Sequence, residues 1–303
     1  MVEQRAPEPV VLERAAVRGG GIVFAESDGL GRALDAGLFA LAVPEGLDLR
    51  PGVRLCREFH RPRTGADAAT RPYRGMRELE GVYFDREHFQ TEHLLADAEA
   101  RARHFPPEVV AMADRMNELA LLVLRTALDA VGVTARLWSQ VTSGAVDGFG
   151  THWFAANHYR SDRDQLGCAP HKDTGFVTLL YNEQDGLEAF SGGRWSPVPP
   201  VSGHFIVNFG GSFELLTEDL ARSVHAVLHR VRRCAPASSD DERFSFAAFV
   251  NPSPAALLHK VDDGGGHRVV STVADFLRDF NRDTWNDRHD DFGIATTRGG
   301  GTA

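Results

Sequence analysis

Pro170-His171-Lys172-Asp173 is the stretch whose residue types and spacing suit chemistry most directly. In extended backbone, residues two apart point to the same side, so His171 and Asp173 would present an imidazole and a carboxylate together. A second imidazole from another strand would complete a two-histidine, one-carboxylate face, leaving three positions of an octahedral iron ion open. The same His-x-Asp pair also suits a solvated turn. Further along, His229-Arg230-Val231 ends a β-type run, and Arg243-Phe244-Ser245 repeats the i, i+2 arrangement with a guanidinium and a hydroxyl.

Short β-type runs must position these groups. They fall at 155–159, 176–181, 187–190, 195–198, 205–209, 224–232 and 244–251, with turn signals such as Asp185-Gly186, Gly192-Gly193 and Gly210-Gly211 between them. With no helices of crossover length between the runs, an antiparallel sandwich or barrel is expected rather than a dinucleotide-binding sheet. Before them, Pro106-Pro107 opens a helix over 107–131, closed by Gly132, whose Val109, Met112, Met116, Leu119, Val123 and Leu128 form an apolar stripe. The first hundred residues mix short apolar pieces with breakers: a turn into 22–24, a helix at 30–34, a strand at 38–43, and an exposed loop over 61–74. A last helix is capped by Thr272 with Asp275 three residues on.

Composition narrows the function classes. The chain has 303 residues, 43% hydrophobic and 25% charged, ordinary values for a folded protein. Its net charge of −9 provides no basic field for a polyanion, so nucleic acid is not an expected partner. No apolar run reaches membrane-spanning length, and the polar, acidic start lacks a signal-peptide plan. Cys56, Cys168 and Cys234 lie far apart, as expected of a reducing cytoplasm rather than a disulfide framework. Lys172 and Lys260 are the only lysines among 33 basic residues, a bias associated with GC-rich bacterial coding.

Taken in order, several motifs resemble the iron(II)/2-oxoglutarate-dependent dioxygenases of the isopenicillin N synthase-like family. They are Asn157-His158-Tyr159, His171-x-Asp173, Thr178-Leu179-Leu180, Gly186-Leu187-Glu188 and Trp195-x-Pro197-Val198-Pro199. Val207-Asn208-Phe209-Gly210, Glu214-Leu215-Leu216-Thr217, His229-Arg230-Val231, Arg243-x-Ser245 and Asn251-Pro252 continue the series. The resemblance implies a mainly β fold with helices: a distorted double-stranded β-helix (jelly roll) core braced by the long helix, with an N-terminal α/β cap. The corresponding division is a cap over 1–105, a core over 106–292 and a flexible tail over 293–303.

The resemblance also implies Fe(II), 2-oxoglutarate as cosubstrate and O2. His171, Asp173 and His229 correspond to the metal ligands, and Arg243 with Ser245 to the pair that holds the far carboxylate of 2-oxoglutarate. That pairing is physically apt, because a guanidinium is permanently charged and forks onto a carboxylate while a hydroxyl adds a donor. Tyr159 adds a hydrogen bond, and Asn157 lies near metal and cosubstrate. Phe249, on the face of Arg243 and Ser245 by alternation, together with Arg74, Tyr83 and Phe89 from the cap, is expected against substrate. His225, also on the side of His229 in an extended run, is the rival ligand, and the His-Arg-Val context favours His229. Two departures stand out: Arg243 lies further beyond His229 than is usual, with 235–242 as a longer loop, and Gly211 stands where the family often has Asp.

The remaining histidines, His152, His158 and His204, are expected to be structural or pocket-wall residues rather than ligands, Cys168 and Cys234 to be ordinary buried thiols, and 83–90 also suits a solvated helix face. The implied reaction oxidises an unactivated C–H bond of a small molecule, hydroxylating by default and otherwise desaturating or cyclising. With Asp173 in the position a halide would need, halogenation is disfavoured. Composition and resemblance together point to bacterial specialised metabolism. An oxidase that uses O2 without 2-oxoglutarate is the alternative enzyme, and a non-catalytic jelly-roll binding module would require a broken triad.

Overall fold

The computed structural model describes residues 7–63, 72–235 and 241–285. The expected loops over 61–74 and 235–242 lie partly, and the tail over 293–303 wholly, outside the described residues.

Two β-sheets enclose one cavity. The larger runs from edge to edge as Gly21–Phe24, Arg14–Arg18, Leu38–Ala42, His204–Phe209, Val177–Asn182, Phe244–Asn251, Thr151–Tyr159, Thr91–Ala96 and Tyr83–Asp85. Its pairs are antiparallel except Arg14–Arg18 with Leu38–Ala42. The smaller sheet runs Arg194–Pro197, Leu187–Ser191, His229–Val231 and Cys168–His171. A ribbon of Leu257–Val261 and His267–Thr272 leads into the last described helix, Val273–Trp285. This is the mainly β architecture with helices expected from the sequence. No described helix is long and apolar enough to cross a membrane.

The period of two along each strand builds the two sides of the large sheet. In Phe244–Asn251, the even positions Phe244, Phe246, Ala248 and Val250 join the apolar core. The odd positions, from Ser245 through Ala247 and Phe249 to Asn251, line the cavity. The paired strand repeats this: Phe154 and Ala156 face the core, while Trp153, Ala155, Asn157 and Tyr159 face the cavity. The helix Pro107–Ala130 packs on the core side of Phe244–Asn251 and Val177–Asn182. Its buried residues are those of the apolar stripe together with Asn117, and Gly132 stops it with φ +81°, a left-handed backbone that glycine adopts without strain.

Two expectations are corrected. Of 224–232 only His229–Val231 is a strand. Upstream, backbone N–H groups are taken elsewhere: Val224 donates to Thr217 Oγ1, His225 to the Leu34 carbonyl and Ala226 to Glu214 Oε1. The stretch 83–90 is not a helix face. Tyr83–Asp85 instead pairs with Thr91–Ala96 at one sheet edge. The first hundred residues thus supply strands to both edges of the main sheet.

Candidate metal centre

His171 and His229 are cross-strand partners in the small sheet, beside an irregularity in the register after His229. Their ring centroids are 4.4 Å apart, and each Nε2 lies 3.8 Å from Asp173 Oδ1. The three side chains can place one ligand atom each within 4.8 Å of the others. Both Nδ1 atoms are engaged, His171 with the Ala169 carbonyl at 2.8 Å and His229 with the Val227 carbonyl at 3.1 Å. Since a carbonyl only accepts, Nδ1 carries a proton in each ring, and each Nε2 faces Asp173. Asn208 Nδ2 donates to Asp173 Oδ2 at 3.4 Å. The turn that carries Asp173 is set by close backbone approach: a side chain on Gly175 would collide with Asn251, and one on Gly210 with the Gly175 carbonyl.

Half-buried His171 and buried His229, facing one carboxylate, shift in opposite directions. Burial works against the imidazolium of His171, but the Cys168 thiol and Asp173 outweigh it and lift the group to about 9. Burial and repulsion by His171 hold His229 below its ordinary value.

Across the cavity, Arg243 is 4% exposed. Its Nε donates to the Asp185 carbonyl at 3.0 Å, and its guanidinium lies 4.3 Å over the Tyr159 ring. Gly186 next to that carbonyl has φ +129°, and a Cβ there would lie 3.0 Å from Arg243 Nε, so glycine leaves the guanidinium its place. Arg243 Nη1 is buried without a hydrogen-bond partner among the described residues. Asn157 Nδ2 donates to Ser245 Oγ at 3.2 Å, and the Tyr159 hydroxyl is 3.3 Å from the same oxygen. An unpaired guanidinium N–H, a serine hydroxyl and a tyrosine hydroxyl converge on a subsite that fits a carboxylate.

All seven residues line one cavity of about 200 Å³, with Phe249 in its wall. Three expected substrate contacts are placed elsewhere. Arg74 pairs with Glu58 at 3.1 Å, the Tyr83 hydroxyl donates to Glu92 at 2.8 Å, and neither these nor Phe89 is part of the lining. His225, the rival ligand, is half exposed and its Nδ1 lies 3.1 Å from Glu214 Oε1, away from the triad. The sequence reading missed Arg86, His93, Trp153, Leu277 and Phe280, which do line the cavity. Alternation from Asn157 would have found Trp153, and the apolar face of the last helix the next two. No local signal singles out Arg86 or His93.

A second two-histidine, one-carboxylate cluster exists: His60, Glu92 and His158. It is unsuited to a metal. Glu92 accepts from Arg77 at 2.6 and 2.7 Å, and His158 spends its two nitrogens on Glu92 and Glu242. The rings of His60 and His158 stack 3.8 Å apart at 10°, so their in-plane lone pairs cannot meet on one ion. Burial, and then His158, push His60 down to about 3. The unfolded chain therefore takes up a proton near pH 6.5 that the folded chain refuses until far lower pH, and stability falls as pH drops through that window. His60→Phe keeps the stacked ring and removes the titration. We expect its unfolding free energy to fall less steeply between pH 6.5 and 4, by a fraction of the roughly 1.4 kcal/mol per pH unit that one full proton gives, because solvent screens this half-buried site. Parallel denaturation curves for parent and variant check it, and identical slopes would refute it.

Comparison with known proteins agrees with this geometry. Residues 150–252 match the model of the 2OG-Fe(II) oxygenase superfamily. The chain is 35% identical to protein DMR6-like oxygenase 2 of Arabidopsis thaliana over 150 residues, which is 48% of this chain and 40% of that protein. It is 30% identical to 1-aminocyclopropane-1-carboxylate oxidase 1 of Doritaenopsis sp. over 169 residues, 54% of this chain and 47% of that one. The chain thus spans less than half the length of these curated relatives. In fold it is similar to the rice dioxygenase for auxin oxidation, with a TM-score of 0.64 at 23% identity, covering 88% of this chain and 94% of that one.

Proposed function

We propose that this chain, whose residues 150–252 match the model of the 2OG-Fe(II) oxygenase superfamily, is an iron(II)- and 2-oxoglutarate-dependent oxygenase acting on a C–H bond of a small molecule. The observation that carries the reading is the buried, unpartnered Arg243 Nη1 beside Ser245, in the same cavity as the His171–Asp173–His229 face. In this reading the Nε2 atoms of both histidines and the Asp173 carboxylate hold iron. Arg243, Ser245 and Tyr159 hold the far carboxylate of 2-oxoglutarate, and Asn157 orients the Ser245 hydroxyl. Bound iron supplies O2 activation coupled to loss of CO2 from 2-oxoglutarate. The chain keeps both imidazoles in one tautomer through the Ala169 and Val227 carbonyls, and lines the space between the two subsites with Leu180, Leu187, Val231 and Ala247 to exclude water. The main substrate meets Phe249, and hydroxylation is the default outcome. The lysine-poor composition supports a bacterial source, and together with the family resemblance a natural product as substrate.

Iron(II)-loaded protein incubated in air with ascorbate as reductant and 2-oxoglutarate labelled at C1 is expected to release labelled CO2 and succinate one for one, and Asp173→Ala to release neither. Complete retention of label by protein with a full iron complement would remove 2-oxoglutarate and install the oxidase that needs O2 alone.

A further inference from the structure

The cavity holds a second guanidinium. Arg86, just past the Tyr83–Asp85 strand, is 3% exposed and lines the same space as Arg243. Its Nη2 lies 3.4 Å from His93 Nε2, and its guanidinium 5.6 Å from the Phe84 ring. A guanidinium can only donate, so in this contact Nε2 is the acceptor. Burial pulls Arg86 down to about 10.

The mount under Arg86 is stiff. Its own N–H donates to the Thr91 carbonyl, and its carbonyl accepts from Phe89 N–H. Neighbouring Asp85 is held by Arg160 at 2.5 and 2.7 Å and by Arg163 at 3.2 Å. Wholly buried Gln90 bonds to the Arg163 carbonyl and to both backbone groups of Cys234. A charged side chain is thus carried into the cavity on a braced turn.

Position and charge separate this group from the Arg243 subsite. His93 is the register partner of Asn157, and Asn157 of Ser245, so two strand spacings, roughly 10 Å, lie between His93 and Ser245. An anion at Arg86 is therefore a second anion. Among the described residues that line the cavity, Arg86 and Arg243 are the two guanidiniums and Asp173 is the carboxylate, while Lys172 is paired with Glu214 at 2.6 Å. Apolar side chains make up much of the wall, among them Trp153, Phe249, Val273, Leu277 and Phe280, with polar groups such as Thr178, Asn208 and Asn251 between them.

We propose that Arg86, with its guanidinium positioned by His93, anchors a carboxylate of the main substrate, which is a small monocarboxylic acid with an apolar, ring-containing body. The inference rests on the 2-oxoglutarate oxygenase reading, and its test separates the two.

The full chain, loaded anaerobically with Mn(II) and 2-oxoglutarate, is titrated calorimetrically with 3-phenylpropionate and 2-naphthylacetate and with the primary amide of each. We expect each acid to bind at least about tenfold more tightly than its amide, as a charge-assisted contact in a dry site gives. Arg86→Gln should close that gap with 2-oxoglutarate affinity unchanged, and Arg86→Lys should restore part of it. Thermal unfolding confirms that the variants fold, and if Arg86→Gln does not, Arg86→Lys and the acid–amide comparison in the parent still decide. Equal binding of acid and amide by the parent, or binding of neither, would overturn the proposal, as would Arg86→Gln weakening 2-oxoglutarate rather than the probes. Failure of the parent to bind 2-oxoglutarate at all would instead overturn the underlying reading.

Discussion

His229→Ala is expected to abolish stoichiometric iron(II) binding while His225→Ala leaves it intact. The two histidines are four residues apart, but only His229 lies in a strand, opposite His171 and 3.8 Å from Asp173. His225 sits in irregular backbone against Glu214. Loss of an outer hydrogen-bond partner at a metal site typically weakens affinity about 10- to 100-fold, and removal of one of three ligands should exceed that. Iron content after anaerobic reconstitution and desalting reads the difference. The reverse pattern would move the centre to His225.

The second large effect concerns Arg243. If its Nη1 and the Ser245 hydroxyl hold the far carboxylate, Arg243→Gln removes a charge-assisted, dehydrated contact that is worth on the order of 2–4 kcal/mol, or roughly 30- to 1000-fold in 2-oxoglutarate affinity. Iron content should be unchanged, because Arg243 stands on the opposite sheet from the histidines. Arg243→Lys should recover only part, since an ammonium keeps the charge but loses the fork. Anaerobic calorimetry against 2-oxoglutarate measures both. Unchanged affinity in Arg243→Gln would detach this subsite from the cosubstrate.

Much of the fold from residue 150 onwards was legible because alternation and turn signals coincide there. Phe244–Asn251 reads as a strand with two chemically distinct faces, and its structure keeps both. Legibility ended where side chains replace the sheet ladder. Val224, His225 and Ala226 look β-like by composition, yet their N–H groups go to Thr217, Leu34 and Glu214. The Thr91–Ala96 strand was hidden differently. Its core-side Glu92 is fully buried because Arg77, Tyr83 and His158 satisfy it, partners that no local pattern announces. Arg86 and His93 entered the cavity unannounced for the same reason: their place depends on how the hairpin docks, not on neighbours in sequence.

The two histidines of the metal face belong to the four-stranded sheet, whereas Arg243 and Ser245 stand at the edge of or within the nine-stranded one. Their separation is fixed by how the two layers pack, and no single loop can tune it. Such a gap is a gauge for molecular length. If 2-oxoglutarate bridges the two subsites, keto diacids one methylene shorter or longer are expected to bind more weakly.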